Sequence, residues 1–337
     1  MNIRTDPITH PAAWTSAQLG GRDAITRRLT AEERAGIDTL LARTAHLAPQ
    51  AVTKGDFRHP AVDELIEEVR QAITQGRGAI LLTGLDAARY SPEQLERIYW
   101  GIGTHLGHAA VQSRTGDRLG RVERDDNDPV QRGYRSAGEL SMHTDSYEIV
   151  GLLCVRQARR GGQSALVSSL AIHNEIARQR PDLLPALYRG FPMAIPEART
   201  TARPITDTPI PVFSYIDGVV SCMFAASFMR AAAEQLGQPL PPELDEALRL
   251  FQATAARDDL ALRFMLEPGE LLLWHNFTNL HSRTEFEDDP AHKRLLLRLW
   301  LKAADPRPVA PQFHERAKVY DRVHAEYAGA HPTGASE

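Results

Sequence analysis

The chain has 337 residues, of which 42% are hydrophobic and 24% are charged, so it can bury a sizeable core without disulfides or a structural metal. Its formal net charge is -4, and its lysines and arginines are scattered along the sequence, which argues against a nucleic-acid partner and against binding to a membrane surface. No apolar stretch approaches the ~20 residues that span a bilayer, so no transmembrane segment is expected.

The two cysteines and the first residues of the chain indicate the cellular compartment of the protein. Cys154 and Cys222 each lie inside an apolar stretch, which predicts buried thiols. The opening MNIRTDPITHPAAW lacks the basic start and apolar run of a secretory leader. The expected location is therefore the cytoplasm, where thiols stay reduced. No internal repeat, low-complexity tract or linker occurs, which favours one domain over residues 1–337.

Residues 1–75 predict a helical N-terminal part. Thr30 and Glu33 have the spacing of a capping box and precede the apolar-periodic run AEERAGIDTLLART. A second helix is expected at about 61–75.

Residues 76–168 predict the first group of barrel strands, interrupted by one helix. The run GAILLTG at 78–84 is a short apolar segment closed by glycine, which predicts a buried strand. Ser91 and Gln94 supply the capping box of the helix SPEQLERIYWGIGTHL. After it, EIVGLLCVRQA and QSALVSS predict two strands joined by a tight turn at Arg-Arg-Gly-Gly.

The pattern over residues 169–259 predicts a helical insertion. This insertion is expected to form a lid and to shape a pocket. Three helices are expected in it, at about 169–190, 227–236 and 242–256. Asp217 and Gly218, between VFSYI and VVSCMF, predict a hairpin turn.

Residues 260–303 predict the second group of barrel strands, and 304–337 a C-terminal tail. LRFML, LLLWHN and RLLLRLWLK predict strands, with a polar loop before the last one. Strand groups that enclose a helical insertion do not match the alternating rhythm of a doubly wound fold. The sequence therefore predicts a mainly β, α+β fold: a double-stranded β-helix, or jelly-roll or cupin-like barrel, with helical decoration.

His143, Asp145 and His281 are the candidate metal ligands. Side chains two residues apart in an extended chain point to the same face, so His143 and Asp145 can reach one ion. With 13 histidines and 43 acidic residues such a pair can arise by chance, but this one directly precedes an apolar strand, at the mouth of a barrel. His281, in the polar loop, is the best third ligand. Two imidazoles and one carboxylate leave adjacent positions open, as in non-haem iron(II) oxygenases.

Arg294 and Arg298 are candidate anchors for acidic groups. They lie four residues apart in RLLLRLWLK, so in a strand both project to one face among leucines. On an inner face, a guanidinium needs an anion such as a carboxylate of 2-oxoglutarate. Ser164, after a Gly-Gly turn, could add a hydroxyl donor. The alternative is that both arginines face water.

Three residues in the segment leading to the HxD pair are candidates for contact with a small-molecule substrate, although a structural role is the alternative for each. They are Gln112, Tyr134 and Glu139.

Over residues 75–305 the chain resembles the TauD/TfdA-like branch of the iron(II)/2-oxoglutarate-dependent dioxygenases, which is similar in fold to clavaminate synthase. The motifs that carry the resemblance are Met142-His143-Thr144-Asp145, Gly161-Gly162-Gln163-Ser164, and His281-Ser282-Arg283 followed by Lys293-Arg294 and Arg298.

The resemblance implies roles for these residues. It implies that His143, Asp145 and His281 bind iron(II), and that Arg294 with Ser164 holds the 5-carboxylate of 2-oxoglutarate. It implies that Arg298 meets an acidic group of the substrate. Dioxygen is then the second co-substrate, succinate and carbon dioxide are released, and an unactivated carbon is hydroxylated, desaturated or cyclised.

Two departures from the family pattern concern Ser164 and Glu139. Ser164 stands where threonine is common, which keeps the hydroxyl. Glu139 stands where the taurine-oxidising members have an amide, so taurine is not the expected substrate. An amino acid is preferred, because Arg298 would meet its carboxylate and Glu139 its amine. The alternative is that Arg298 pairs with a structural acid such as Glu285 or Glu287.

Two other functions fit a barrel of this kind. A cupin-type metalloenzyme that does not use 2-oxoglutarate would keep the three ligands but would not need Arg294. A non-catalytic sensor of small acids would be expected to lose a ligand. Halogenation requires a vacant position in place of the carboxylate, which Asp145 fills.

Overall fold

The core of the protein is two facing β-sheets, in a computed structural model that describes residues 2–113, 115–127, 133–195, 204–289 and 293–330. Strands are numbered in chain order. Those of the larger sheet are β1 (Thr26–Arg28), β2 (Ala79–Thr83), β3 (Gly107–Ala109), β4 (Leu119–Val122), β6 (Ile149–Arg156), β12 (Leu271–His275) and β15 (Leu295–Ala303). Those of the smaller sheet are β5 (Leu140–His143), β8 (Ser164–Ser168), β11 (Leu262–Phe264) and β13 (Asn279–Arg283).

The strand order explains how the two sheets enclose a core. The larger sheet runs β1-β2-β12-β6-β15-β3, with β4 also paired to β15, and the smaller one runs β11-β8-β13-β5. Val150 and Trp274 of the larger sheet share one buried apolar core with Leu166 and Leu280 of the smaller one. Two antiparallel-rich sheets packed face to face are a jelly-roll core, so the predicted fold class is confirmed.

Helices cover the outer face of the larger sheet. The described helices are α1 (Ser16–Leu19), α2 (Ala31–Arg43), α3 (Pro60–Thr74), α4 (Pro92–Leu106), α5 (Ser169–Gln179), α6 (Leu184–Arg189), α7 (Ala226–Leu236), α8 (Pro242–Ala255) and α9 (Glu315–Ala330). Helix α3 packs on β2 and β12, and α4 packs on β15, through a second apolar core. No helix in the described part of the chain is both long and apolar enough to cross a membrane.

Local signals predicted several elements correctly. Both predicted capping boxes form, at Thr30 with Glu33 before α2 and at Ser91 with Gln94 before α4. The predicted hairpin also forms, between β9 (Phe213–Ile216) and β10 (Val219–Cys222). Asp217 and Gly218 at its turn have φ values of 51° and 79°, the left-handed conformation that a two-residue hairpin turn requires.

Two predicted connections are wrong. The strands β6 and β8 are not neighbours, because β6 lies in the larger sheet and β8 in the smaller one. The chain crosses between the sheets through β7 (Arg160–Gly161), which pairs with β14 (Phe286–Glu287). The polar loop expected around His281 is strand β13, held on both sides by β8 and β5.

The outer segments also differ from their predicted character. The N-terminal part is not only helical, because its strand β1 pairs in parallel with β2. The C-terminal tail contains α9, which returns to the mouth of the barrel. Residues 196–203 of the predicted insertion and 331–337 of the tail lie outside the described residues.

Candidate active site

The three predicted metal ligands lie together at the edge of the smaller sheet. His143 ends β5 and is the direct antiparallel partner of His281 on β13, so the two imidazoles stand on one face, with ring centres 4.2 Å apart. Asp145 follows two residues after His143, and its carboxylate lies 3.9 Å from Nε2 of His143 and 3.7 Å from Nε2 of His281. The three ligand atoms are all within 4.8 Å of one another.

Their protonation states suit metal binding. Burial lowers the pKa of His143, and burial together with His143 lowers the pKa of His281 to about 3. Burial would raise the pKa of Asp145, but the pKa stays low, at about 2, and the charge of Arg298 and the hydrogen bond from Trp300 contribute to this. The cluster therefore offers two neutral nitrogens and one ionised carboxylate, a donor set that fits iron(II).

Neighbouring groups orient two of these side chains. Nδ1–H of His143 donates to the carbonyl of Ser141 at 2.8 Å, which leaves Nε2 as the free donor nitrogen. The indole N–H of Trp300 donates to Oδ2 of Asp145 at 2.7 Å. The Asn276 side chain accepts from the backbone N–H of Asp145 at 3.0 Å and donates to its carbonyl at 3.0 Å. Such partners fix the geometry of a metal site before the ion binds.

The cluster faces a cavity of about 430 Å³. The side chains of His143 and His281 are 27% and 16% exposed, so both reach the cavity. Other predicted site residues that line it are Ser164, Arg294, Arg298, Tyr134 and Glu139. The apolar side chains of Leu152, Leu296 and Phe228 complete part of the wall.

Arg294 lies beneath the Gly-Gly turn that precedes β8. Its side chain is buried, and Nη1 has no hydrogen-bond partner. A Cβ at Gly162 would lie 3.1 Å from Nε of Arg294, and one at Gly161 would lie 2.1 Å from the carbonyl oxygen of Glu285. Both glycines also have positive φ, at 69° and 74°. The turn thus gives the guanidinium room beside Ser164.

Arg298 is buried between two aromatic rings. Its Cζ stands 4.3 Å from the centre of the Tyr134 ring and 4.2 Å from that of Trp300. Its Nε donates to Oε1 of Gln112 at 2.8 Å, while Nη2 has no partner. Ion pairs with Glu285 or Glu287, the structural alternative for this arginine, do not form among the described residues. An unpaired donor that is held rigidly beside a cavity is suited to an anion.

The structure corrects the prediction for Gln112 and places Glu139 at the rim. Gln112 is 1% exposed and is not among the described residues that line the cavity. Its amide nitrogen donates to the carbonyls of Arg118 and Arg298, so the side chain supports Arg298 from behind. Glu139 is exposed where the cavity opens.

The sequence prediction missed contributions from the last strand and the last helix. Trp300 follows Arg298 by two residues, so the alternation of a strand already places both on one face. Arg316 and Tyr320, one turn apart on α9, line the cavity without any such local signal. Arg316 donates to the carbonyl of Thr144 at 3.0 Å, and Tyr320 packs edge-on against Trp300.

Comparisons with known proteins agree with this architecture. Residues 43–300 match the family model described as taurine catabolism dioxygenase TauD, TfdA family. The FR-33289 synthase of Streptomyces rubellomurinus is 27% identical over 91% of this chain and 94% of its own. The taurine hydroxylase-like protein SAT17 of Stachybotrys chartarum is 27% identical over 85% of this chain and 77% of its own.

The fold is shared with a solved structure. An asparagine oxygenase in complex with Fe(II), 2S,3S-3-hydroxyasparagine and succinate superimposes with a TM-score of 0.67. The match covers 82% of this chain and 93% of that one, at 18% sequence identity.

Proposed function

Since the chain belongs to the TauD/TfdA family and is an iron(II)- and 2-oxoglutarate-dependent dioxygenase, we propose that it hydroxylates a small molecule bound in this cavity. The proposed substrate carries a carboxylate, and an amino acid is the preferred class. The observation that carries the proposal is the His143, Asp145 and His281 cluster, which faces one cavity together with Arg294 and Arg298. Family membership argues against the two alternative functions, a cupin-type metalloenzyme that does not use 2-oxoglutarate and a non-catalytic sensor of small acids.

In this proposal, each residue has a separate task. His143, Asp145 and His281 bind iron(II). Arg294 and Ser164 bind the distal carboxylate of 2-oxoglutarate. With dioxygen, the bound iron and co-substrate supply the oxidation of an unactivated C–H bond, with release of succinate and carbon dioxide. The apolar wall of Leu152, Leu296 and Phe228 excludes water from the reacting carbon.

Arg298 is the proposed anchor for the substrate carboxylate. Tyr134, Trp300 and Gln112 hold the guanidinium and leave Nη2 unpartnered, so little ordering is needed when an anion binds. Glu139 at the rim is placed to meet an amine. The asparagine oxygenase structure contains a hydroxylated amino acid, which makes amino acids the first compounds to test.

The test of substrate charge uses Arg298. The purified enzyme, with iron(II), 2-oxoglutarate and oxygen, is screened by mass spectrometry against amino acids and related acids. For an accepted acid, Arg298→Gln should lower kcat/KM by roughly 30-fold or more, because losing a desolvated charge partner costs on the order of 2–5 kcal/mol. The methyl ester should be a poor substrate of the wild type. A preference for the ester, or unchanged kcat/KM in the variant, would refute the carboxylate role.

Trp300 is proposed as the residue that positions the iron-binding carboxylate. Trp300→Phe keeps an aromatic ring against Arg298 and Tyr320 but removes the N–H donor to Asp145. The affinity for iron(II) should fall roughly 10- to 100-fold, as is typical when an outer partner of a metal ligand is lost. Anaerobic titration with iron(II) measures the effect, and thermal denaturation checks that the fold persists. Wild-type affinity in a folded Trp300→Phe protein would contradict the role.

A cytoplasmic location is part of the proposal. Both cysteines are buried and unpaired, at Cys154 and Cys222, as the prediction of buried thiols required. Free thiols are typical of a reducing compartment.

A further inference from the structure

Arg283 is a second buried guanidinium in the part of the cavity that Arg294 and Ser164 line. It ends β13 and is the direct antiparallel partner of Ser164 on β8, so the two side chains share a face. His281 lies two residues earlier on the same strand and therefore on the same face. Arg283 lines the cavity with Ser164 and Arg294, although it is only 5% exposed.

Arg283 and Arg294 share one aromatic ring. Their Cζ atoms stand 4.6 and 5.2 Å from the centre of the Phe286 ring. Arginine side chains stay protonated at neutral pH, so both guanidiniums carry a positive charge. Two buried like charges around one ring are costly without an anion.

Part of each guanidinium has no partner. Nε and Nη1 of Arg283 and Nη1 of Arg294 are buried without a hydrogen bond. The Nη2 group of Arg283 is already occupied, because it donates to the carbonyls of Ser136 and Gly138. Asp288 accepts from the backbone N–H of Arg294 at 2.8 Å, and it forms no ion pair with either guanidinium among the described residues.

We propose that Arg283 binds the distal carboxylate of 2-oxoglutarate together with Arg294 and Ser164. The inference rests on the proposed function, because it needs the co-substrate to extend from the metal cluster toward Arg294. Two residues along β13 separate His281 from Arg283, which is roughly 7 Å of strand. A 2-oxo acid that is held at the metal needs a long chain to reach Arg283, and it needs an anionic end to pair with the guanidinium. 2-Oxoglutarate has both.

Arg283 also connects this site to the segment that precedes Glu139. Its Nη2 group fastens the Ser136–Gly138 segment, which leads to the rim residue Glu139. Its Nε and Nη1 groups have no partner and are available to the co-substrate.

The test compares 2-oxoglutarate with 2-oxobutyrate, which has the same metal-binding end but no distal carboxylate. Dissociation constants are measured anaerobically on the iron(II)-loaded protein by calorimetry, without turnover. Arg283→Gln should weaken binding of 2-oxoglutarate by about 10-fold or more, equivalent to about 1.4 kcal/mol. Binding of 2-oxobutyrate should change by less than about 2-fold. Arg263→Gln, on strand β11 of the same sheet and exposed to solvent, is the matched control and should change neither constant.

Each outcome bears on the proposal. Equal weakening of both acids by Arg283→Gln would show a purely structural role and overturn it, as would unchanged binding of 2-oxoglutarate. If Arg283→Gln does not fold, Arg283→Lys keeps the charge and should weaken 2-oxoglutarate selectively, though less; equal losses for both acids would again overturn the proposal. A wild-type protein that does not bind 2-oxoglutarate at all would instead refute the proposed function.

Discussion

Replacing His281 with alanine is expected to abolish turnover and to weaken iron(II) binding sharply. His281 supplies one of three ligand atoms that lie within 4.8 Å of one another, and two remaining ligands cannot hold the ion with comparable affinity. Anaerobic iron titration measures binding, and succinate release measures turnover. The same result is expected for His143→Ala and Asp145→Ala.

The control for this experiment is His108→Ala, because His108 is an exposed histidine on β3, outside the cavity. That variant should bind iron and turn over as the wild type does. His281→Gln, which fills more of the vacated space, separates loss of the ligand from loss of packing. Stoichiometric iron binding by His281→Ala, with normal turnover, would remove His281 from the metal site.

Replacing Arg294 with alanine is expected to raise the KM for 2-oxoglutarate strongly. The guanidinium is buried, and its Nη1 has no partner until a carboxylate binds. Losing such a desolvated charge partner costs on the order of 2–5 kcal/mol, which is roughly 30-fold or more in affinity. Arg294→Lys should restore only part of the loss, because an ammonium lacks the planar fork that binds both carboxylate oxygens.

The readout for Arg294 is succinate formation as a function of 2-oxoglutarate concentration. Arg121→Ala is a suitable control, since Arg121 is half-exposed on β4 and pairs with Glu96 on the surface. Iron affinity should be unchanged in Arg294→Ala, which distinguishes a co-substrate defect from a metal defect. An unchanged KM for 2-oxoglutarate would rule out the carboxylate role of Arg294.

The effects of Arg294 and Arg283 are expected to be coupled. Both guanidiniums contact the Phe286 ring and would share one carboxylate, so removing the second after the first should cost less than removing it alone. Additive losses would place the two arginines on different ligands. Gly162→Ala would disturb the same site without removing a charge, because its Cβ would lie 3.1 Å from Nε of Arg294.

Local sequence signals determined the elements whose stabilising contacts lie within a few residues. The capping boxes at Thr30 and Ser91 satisfy the first free N–H groups of their helices, so helix starts could be predicted without knowing what the helices pack on. The turn at Asp217 and Gly218 was predictable because few residue pairs tolerate its backbone conformation. The HxD spacing likewise predicted that two side chains share one face, as they do in an extended chain, although Asp145 lies two residues beyond the end of β5.

Contacts between distant residues decided the rest. His281 lies in the polar sequence NLHSR, which has little strand character, and it is in a strand because β8 and β5 pair with its backbone on both sides. Gln112 is buried because its side chain hydrogen-bonds to Arg298, 186 residues later in the chain. It accepts from Nε of Arg298 and donates to the backbone carbonyl of the same residue. Arg316 reaches the carbonyls beside the metal ligands only because α9 folds back over the barrel.

The sequence by itself therefore determined the fold class, from the order of its predicted strands and helices. It also determined the HxD pair and the spacing of Arg294, which directly precedes β15, and Arg298 within that strand, because these depend on residues close together in the chain. The tertiary structure decided how residues from distant parts of the chain come together at the site. It brought His281 beside His143, placed Arg283 opposite Ser164, and set Trp300 against Asp145. The physical reason is that a sheet joins strands that are far apart in the chain, and hydrogen bonding between them leaves no periodic signal in either strand.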